Sequence, residues 1–152
     1  MEETHGNDTI FIACDHAGYE LKHILQTHLE SKGHKVVNLG CNSSEERVDY
    51  PQYGKKLGEE VVKSGGRGVL VCGSGIGISI AANKCTGIRC ALVHDYYGAE
   101  MSRKHNDANV IAFGGRVTGV EVAKQCLDVW LVTEFEKDHP NHPRRVSQLD
   151  AQ

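Results

Sequence analysis

The sequence predicts an α/β fold: a Rossmann-like three-layer sandwich with a five-stranded parallel sheet, helices on both faces and a C-terminal extension. Short apolar runs alternate with longer segments in which apolar residues recur at helical spacing, and this alternation continues along most of the chain. Strands that alternate with helices form a parallel sheet with right-handed crossovers. The length of 152 residues, 39% of them hydrophobic, suits a single globular domain.

Two strand–helix pairs occupy the first part of the chain. A glycine ends the first helix, and a proline suits the first turn of the second, because a helix start leaves its N–H groups unpaired. The predicted segments are the strand Thr9–Cys14, a helix with Leu21, Ile24, Leu25 and Leu29 that ends at Gly33, the short strand Val36–Leu39, a polar loop over 41–50, and a helix from Pro51 with Tyr53, Leu57 and Val61 on its inner face.

Three further strand–helix pairs follow. Gly65-Gly66 ends the second helix, since adjacent glycines interrupt a helical pattern. The predicted segments are the strand Gly68–Cys72, a helix from about Gly75 to Lys84, the strand Arg89–Val93, a helix at about Asp95–His105, the strand Val110–Phe113, and a helix with Val120, Ala123, Leu127, Trp130 and Leu131 in one stripe.

The end of the chain departs from the alternation. We predict one domain over residues 1–152, with a core of about residues 9–133 and a C-terminal helix or tail over 134–152. Within this tail, the basic stretch His139–Arg145 is expected to be extended. Such a stretch is either a solvated extension or a segment that reaches an anion site on a second subunit.

Charge and composition argue against several classes of protein. The net charge of −3 without a basic block is not typical of a nucleic-acid surface. The apolar runs are too short to span a membrane, and Met1-Glu2-Glu3 is not followed by the apolar region of a secretory signal, so we expect a cytoplasmic protein. The six cysteines include no CxxC motif and are expected to be reduced core residues, with Cys72 as the exception.

A glycine-rich turn follows the third strand. Cys72 ends that strand, and Gly73, Gly75 and Gly77 alternate before the next helix. Backbone N–H groups and the positive end of a helix bind anions at such a turn, and the same field favours a thiolate. The turn is therefore predicted to hold a negative ligand beside a base or nucleophile. Two other interpretations remain open: glycines that serve a tight turn only, and a nucleotide-binding module with Asp95 at the ribose, although the glycine spacing matches neither usual nucleotide motif.

Polar residues follow other strands at the edge where parallel sheets bind ligands. They are Asp15-His16, Asp49-Tyr50 and Gly114-Gly115-Arg116. A carboxylate and an imidazole after the first strand suit a polar ligand, and Arg116 suits a planar anion. A lone histidine such as His16 or His105 is otherwise a surface or capping residue. The histidine spacings do not suggest a metal site with a carboxylate or cysteine, so we expect neither a metal nor another cofactor.

Five motifs together resemble the ribose-5-phosphate isomerase type B family, which includes isomerases of allose and galactose 6-phosphates. They are CDHAGYELK (14–22), DYPQYG (49–54), CGSGIGISIAANK (72–84), SRKHNDANVIAFGGR (102–116) and RRV (144–146). The resemblance extends over about residues 9–147. It implies an aldose–ketose isomerase of the pentose phosphate pathway that interconverts D-ribose 5-phosphate and D-ribulose 5-phosphate through a cis-enediol(ate), without a metal. The alternatives are a six-carbon sugar-phosphate isomerase and a non-catalytic nucleotide-binding module.

The resemblance also implies a role for each matching residue. Cys72 corresponds to the base that moves the proton between C1 and C2. Some members use a glutamate a few residues later, and Ile76–Ile80 contains none. His105 corresponds to the acid–base group that opens the furanose ring, and Ser74 belongs with these catalytic residues in the anion hole for the enediolate. The implied substrate contacts are Asp15, His16, Tyr50, Gly73, Gly75, Ile76, Gly77, Asn106, Arg116 and Arg145.

Members of the family are homodimers, in some cases tetramers, with active sites at the subunit interface. The resemblance implies that the partner subunit offers Arg145 to the substrate phosphate. The tail departs from the family pattern Gly-Arg-His-x-x-Arg-Val, because Asn141 stands at the first arginine, or His139 in an ungapped alignment. Arg144 and His142 are the candidates to replace that arginine.

Overall fold

Five parallel strands form one sheet in the order β2-β1-β3-β5-β4 in the computed structural model, which describes residues 4–151. Met1-Glu2-Glu3, the acidic start on which the expectation about a secretory signal depends, lies outside the described residues. The strands are β1 (Ile10–Cys14), β2 (Val36–Asn38), β3 (Arg67–Cys72), β4 (Cys90–Leu92) and β5 (Val110–Gly114). The helices are α1 (Tyr19–Ser31), α2 (Tyr50–Ser64), α3 (Ile76–Asn83), α4 (Tyr96–Lys104), α5 (Val120–Val132) and α6 (His142–Asp150), and a short 3-10 helix spans His16–Gly18.

The strand order has a switch point between β1 and β3. The chain leaves β1 for the edge strand β2 and returns on the other side of β1 as β3. Cys14 pairs with Val71, and Cys72 pairs with Gly114, so the three central strands end at nearly the same level. Ligands of open parallel sheets bind at such an edge. The order therefore brings together the loops that follow β1, β3 and β5.

Helices cover both faces of the sheet, because side chains along each strand alternate between the two faces. One core packs strand residues against α1, α4 and α5, and includes Ile12, Val71, Phe113, Leu25, Ala99 and Trp130. The other packs strand residues against α2 and α3, and includes Phe11, Leu70, Ala112, Leu57 and Ile78. The predicted three-layer α/β sandwich is confirmed, and each predicted strand end lies within one residue of the observed end.

The tail differs from the sequence prediction. His142–Arg145 is not extended, because these residues form the first turn of α6, and the Arg145 N–H donates to the Asn141 carbonyl at 3.1 Å. Pro143 lies in that turn, where its missing N–H costs no helical hydrogen bond. Val146 follows, only 8% exposed, and anchors the helix on the domain. A single buried apolar residue is too weak a pattern to predict a helix from sequence.

Two further expectations concern the reduced state and burial of the cysteines and the length of the apolar segments. All six cysteines are free, and four of them are buried: Cys14, Cys41, Cys72 and Cys126. Cys85 and Cys90 are only half-buried, because they lie near the sheet edge that β4 forms. Among residues 4–151, no helix is both long and apolar enough to cross a bilayer.

Candidate active site

A cleft of about 640 Å³ lies at the carboxyl ends of β1, β3 and β5. It contains nine of the residues that the sequence singles out: Asp15, His16, Tyr50, Cys72, Gly73, Ser74, Ile76, Gly77 and Arg116. Ala17, Ile80 and Val117 also line it and were not predicted. Ile80 lies about one helical turn after Ile76, so a helix places both side chains on the same face. This spacing is the one sequence signal that could have predicted Ile80 as a cleft residue.

The glycine turn orients the Cys72 thiol. Cys72 ends β3 and is 4% exposed, and its Sγ accepts a hydrogen bond from the Gly75 N–H at 3.2 Å. Gly75 has φ +79°, and a Cβ there would lie 2.8 Å from the Phe113 carbonyl carbon and 2.9 Å from the Gly114 nitrogen. Only glycine fits this left-handed conformation against neighbouring backbone. The close fit of Gly75 on β5 therefore holds one donor on the thiol.

The start of α3 forms the floor of the cleft. Ser74 Oγ accepts from the Ile76 N–H at 3.2 Å, and the first N–H groups of a helix have no intrahelical partner. The helix therefore presents unpaired donors and its positive end beside Cys72. A Cβ on Gly77 would lie 2.6 Å from Tyr50 Cε2, so the Tyr50 ring lies directly over the turn. The ring packs directly against the Gly77 backbone and leaves no room there for a side chain.

Asp15 and His16 occupy the loop after β1. Asp15 is 6% exposed, and its Oδ1 accepts from the Gly18 N–H at 3.0 Å, which caps the short 3-10 helix. His16 Nδ1 accepts from the Val48 N–H at 3.2 Å. A neutral imidazole that accepts at Nδ1 carries its hydrogen on Nε2. His16 therefore offers a donor to a ligand in the cleft.

A buried lysine, Lys22, is paired with an exposed amide, Asn38, near the end of β1. Lys22 is 1% exposed, and its Nζ donates to Asn38 Oδ1 at 3.0 Å. Burial lowers the pKa of the Lys22 ammonium. Cys14 ends β1 next to this pair, and its burial together with the Cys41 thiol raises the pKa of Cys14 to about 12. Cys14 therefore stays protonated at neutral pH and is unsuited to act as a base.

Arg116 brings a fixed positive charge to the cleft. Its N–H donates to the Gly73 carbonyl at 3.0 Å, and the Gly115 N–H donates to the Cys72 carbonyl at 2.8 Å. These two bonds join the loop after β5 to the glycine turn. Of the described residues that line the cleft, Arg116 alone has a side chain with a permanent positive charge.

Four predicted site residues are not among those that line the cleft of this single chain. Gly75 is buried beside the cleft with its N–H on Cys72 Sγ, and the other three lie elsewhere. His105 caps the end of α4, and Arg145 is exposed on α6. Asn106 lines a separate cavity, also about 640 Å³, together with Arg89 and Asp150. Within one chain, the predicted site residues therefore form two separate groups.

Asp95, the acidic residue that the nucleotide-binding interpretation requires at the ribose, has a different role in the structure. Asp95 precedes α4, and its Oδ1 accepts from the Gly98 N–H at 2.6 Å, so it caps the helix. It is not among the residues of the cleft beside the glycine turn. A helix-capping role explains this aspartate without a ribose.

His105 belongs to a cluster of imidazoles. Its ring stacks on that of His142 with 4.4 Å between centroids, and His142 stacks on His139 at 3.8 Å. Burial and the neighbouring imidazoles, with Arg145, lower the pKa of His142, although Glu136 opposes the shift. One ligand atom each of His105, Glu136 and His142 lies within 4.8 Å of the others, a spacing open to a metal ion. The sequence did not indicate this group, because its members are 31 and 6 residues apart.

The chain is similar to known proteins over nearly its whole length. A family model described as Ribose/Galactose Isomerase matches residues 10–149. Ribose-5-phosphate isomerase B of Escherichia coli (strain K12) is 46% identical over 145 residues, which cover 93% of this chain and 94% of that protein. The structure of Clostridium thermocellum ribose-5-phosphate isomerase B has a TM-score of 0.89 at 43% identity, covering 94% of this chain and 95% of that one.

A second solved structure includes a ligand. Ribose-5-phosphate isomerase B of Mycoplasma genitalium, with bound ribulose-5-phosphate, has a TM-score of 0.90 at 35% identity and covers 97% of both chains. The matches agree with the five-stranded parallel sheet of this chain. The chain belongs to the ribose/galactose isomerase family.

Proposed function

We propose that the protein interconverts D-ribose 5-phosphate and D-ribulose 5-phosphate. One observation carries the proposal: the cleft joins a cysteine thiol, a helix start and a fixed guanidinium in a chain 46% identical to a ribose-5-phosphate isomerase. Proton transfer next to a carbonyl needs a base, donors for the oxyanion and an anchor for the substrate. Cys72, the glycine turn and Arg116 supply these three functions.

In the proposed mechanism, the Cys72 thiolate removes the proton from C2 of the open-chain aldose. The electron pair moves into a C1–C2 double bond, and the negative charge collects on O1. The N–H groups of Gly73, Ser74 and Gly77, with the Ser74 hydroxyl, stabilise this enediolate. Cys72 then returns a proton to C1 while the O2 proton is lost and O1 is protonated, which gives the ketose.

The phosphate is anchored at a distance from the reacting carbons. His16 donates from Nε2, Arg116 offers its planar guanidinium, and Arg145 of a second subunit completes the site. Asp15 and Tyr50 border the sugar between these two ends. Binding energy from the phosphate then orients C1 and C2 against the thiol.

We propose a homodimer in which each active site is shared between the two chains. A tetramer built from such dimers would keep the same shared sites. The support is that His105, Asn106 and Arg145 lie away from the cleft of their own chain. Ile76, Ile80 and Val117 are 53%, 54% and 58% exposed at the cleft, and a second subunit would cover them. In a two-fold dimer, His105 and Asn106 of one chain complete the cleft of the other.

The test of the base is Cys72→Ala, with Cys85→Ala as a control at a half-buried cysteine outside the cleft. We expect kcat of Cys72→Ala to fall by about 10²–10⁴-fold. Calorimetry should show that it still binds ribose 5-phosphate. Full activity of this variant would refute the assignment of Cys72 as the base.

Two further assays separate the alternatives. Rates measured side by side with ribose, allose and galactose phosphates decide which sugar is the substrate. Binding of adenine nucleotides without isomerisation would favour the nucleotide-binding module.

Mixing two inactive variants tests the shared site. Cys72→Ala and His105→Ala chains that exchange subunits form mixed dimers with one intact site each. Random pairing restores about one quarter of the wild-type activity if sites are shared between chains. If each site draws both residues from one chain, the mixture stays inactive.

A further inference from the structure

The group of His105, Glu136 and His142 is positioned by the backbone of three separate elements. His105 caps α4, Glu136 lies in the segment after α5, and His142 begins α6. The Glu136 N–H donates to the carbonyl of Lys104 at 3.1 Å, and the His139 N–H donates to the Glu136 carbonyl at 3.1 Å. The carboxylate is therefore held next to both imidazoles by main-chain hydrogen bonds.

The three side chains offer the ligand set that transition metals prefer. Two imidazole nitrogens and one carboxylate oxygen bind Zn²⁺ and leave a position for water. His142 Nε2 and Glu136 Oε2 are 3.9 Å apart, and all three ligand atoms lie within 4.8 Å of one another. Ligands bonded to one tetrahedral zinc lie about 3.3 Å apart. Binding would require the stacked rings to tilt and the carboxylate to rotate.

The surroundings contain one feature that attracts a cation and two that oppose it. The positive end of α6 and the Arg145 side chain weaken the affinity for a cation. The Glu136 carboxylate opposes them and attracts a cation. The Glu136 side chain is 42% exposed, so an ion has a path from solvent. His139 is not a ligand in this arrangement, because its Nδ1 accepts from the Asn141 N–H at 3.1 Å.

We propose that His105, Glu136 and His142 form a binding site for a divalent transition-metal ion such as Zn²⁺, and that the bound ion inhibits the enzyme reversibly. Coordination occupies the His105 nitrogen, which then cannot exchange protons with the sugar ring. The metal site stands on the geometry of the three side chains. The inhibitory effect rests on the proposed isomerase function.

Calorimetry with ZnCl₂ on the full chain, with thiols kept reduced, tests the site directly. The informative variant is Glu136→Gln, and the matched control is Glu134→Gln, an exposed carboxylate in the same segment. We expect one ion per wild-type chain, binding at least about tenfold weaker in Glu136→Gln, and no change in Glu134→Gln. Equal affinity of Glu136→Gln and wild type overturns the proposal. Thiolate-to-metal charge-transfer bands with Co²⁺ would also overturn it, because they indicate cysteine ligands.

Activity measurements separate the two parts of the proposal. Without metal, Glu136→Gln should isomerise ribose 5-phosphate at the wild-type rate, because the proposed mechanism assigns the Glu136 side chain no proton transfer and no substrate contact. With ZnCl₂, it should need at least about tenfold more metal for half-inhibition. Tight calorimetric binding without inhibition overturns the regulatory part. An inactive wild-type chain refutes the proposed function, while calorimetry still decides the metal site.

Discussion

Gly75→Ala should destabilise the protein and disable the turn around Cys72. Gly75 has φ +79°, and the added Cβ would lie 2.6 Å from Leu92 Cδ1, 2.8 Å from the Phe113 carbonyl carbon and 2.9 Å from the Gly114 nitrogen. The leucine methyl can move, but the two backbone atoms belong to the central strand β5 and its end. The turn must therefore shift away from β5.

Two contributions set the size of the effect. A left-handed conformation costs a residue with a Cβ about 1–2 kcal/mol. Overpacking against a rigid neighbour adds about 1–3 kcal/mol. The sum of about 2–5 kcal/mol is below the roughly 5–15 kcal/mol by which a native domain is stable, so the variant should fold. The expected fall in Tm is roughly 4–20 °C for a chain of this length.

Two other glycines separate these contributions. Gly33 has φ +85° with nothing within 4 Å of an added Cβ, and Gly119 has φ −65° with equally open space. Urea unfolding should rank the losses as Gly75→Ala, then Gly33→Ala at about 1–2 kcal/mol, then Gly119→Ala near zero. Only Gly75→Ala should also lower kcat, by about 10²–10³-fold, because it displaces a donor to Cys72. Equal losses for Gly75→Ala and Gly33→Ala would refute the steric argument.

Two further predictions concern stability. Burial raises the pKa of the Asp128 carboxyl, but hydrogen bonds from Lys32 and His28 outweigh this and lower it overall. The stabilisation is present above the unfolded pKa of about 3.9 and is lost as pH falls through the folded value, so Asp128→Asn should cost about 0.5–1 kcal/mol at pH 7 and less at about pH 3.5. Urea unfolding at both pH values checks this, and a constant difference would contradict it. Trp130→Phe should lose about 2 kcal/mol in the same assay, because Nε1 of the fully buried indole donates to the Ala108 carbonyl at 3.2 Å. An unchanged midpoint would show that this bond adds nothing.

The strands and the first five helices were predictable because their signals are local. Apolar periodicity, glycine stops and Pro51 at a helix start need no information from the rest of the fold. The position of the cleft also followed, since the ends of parallel strands share one edge of the sheet. Asp15, Cys72 and Arg116 were placed together on that ground, and all three line the cleft.

Details within the cleft were not predictable. The Asp15 carboxylate caps the 3-10 helix, and the Val48 N–H sets which nitrogen of His16 bears hydrogen. Val48 is 32 residues from His16, and its position depends on how the loop after β2 folds over β1. Contacts of this kind depend on packing, for which one sequence holds no local signal.

By itself, the sequence determined the α/β class, the order of the elements and the edge of the sheet at which chemistry is expected. These follow from side-chain periodicity and from the geometry of parallel strands. Only the tertiary structure decided that His105 and Arg145 lie away from the cleft of their own chain, and that Glu136 and His142 gather around His105. The physical reason is that α4, α6 and the segment before α6 meet through long-range packing and main-chain hydrogen bonds, which the periodicity of each segment does not encode.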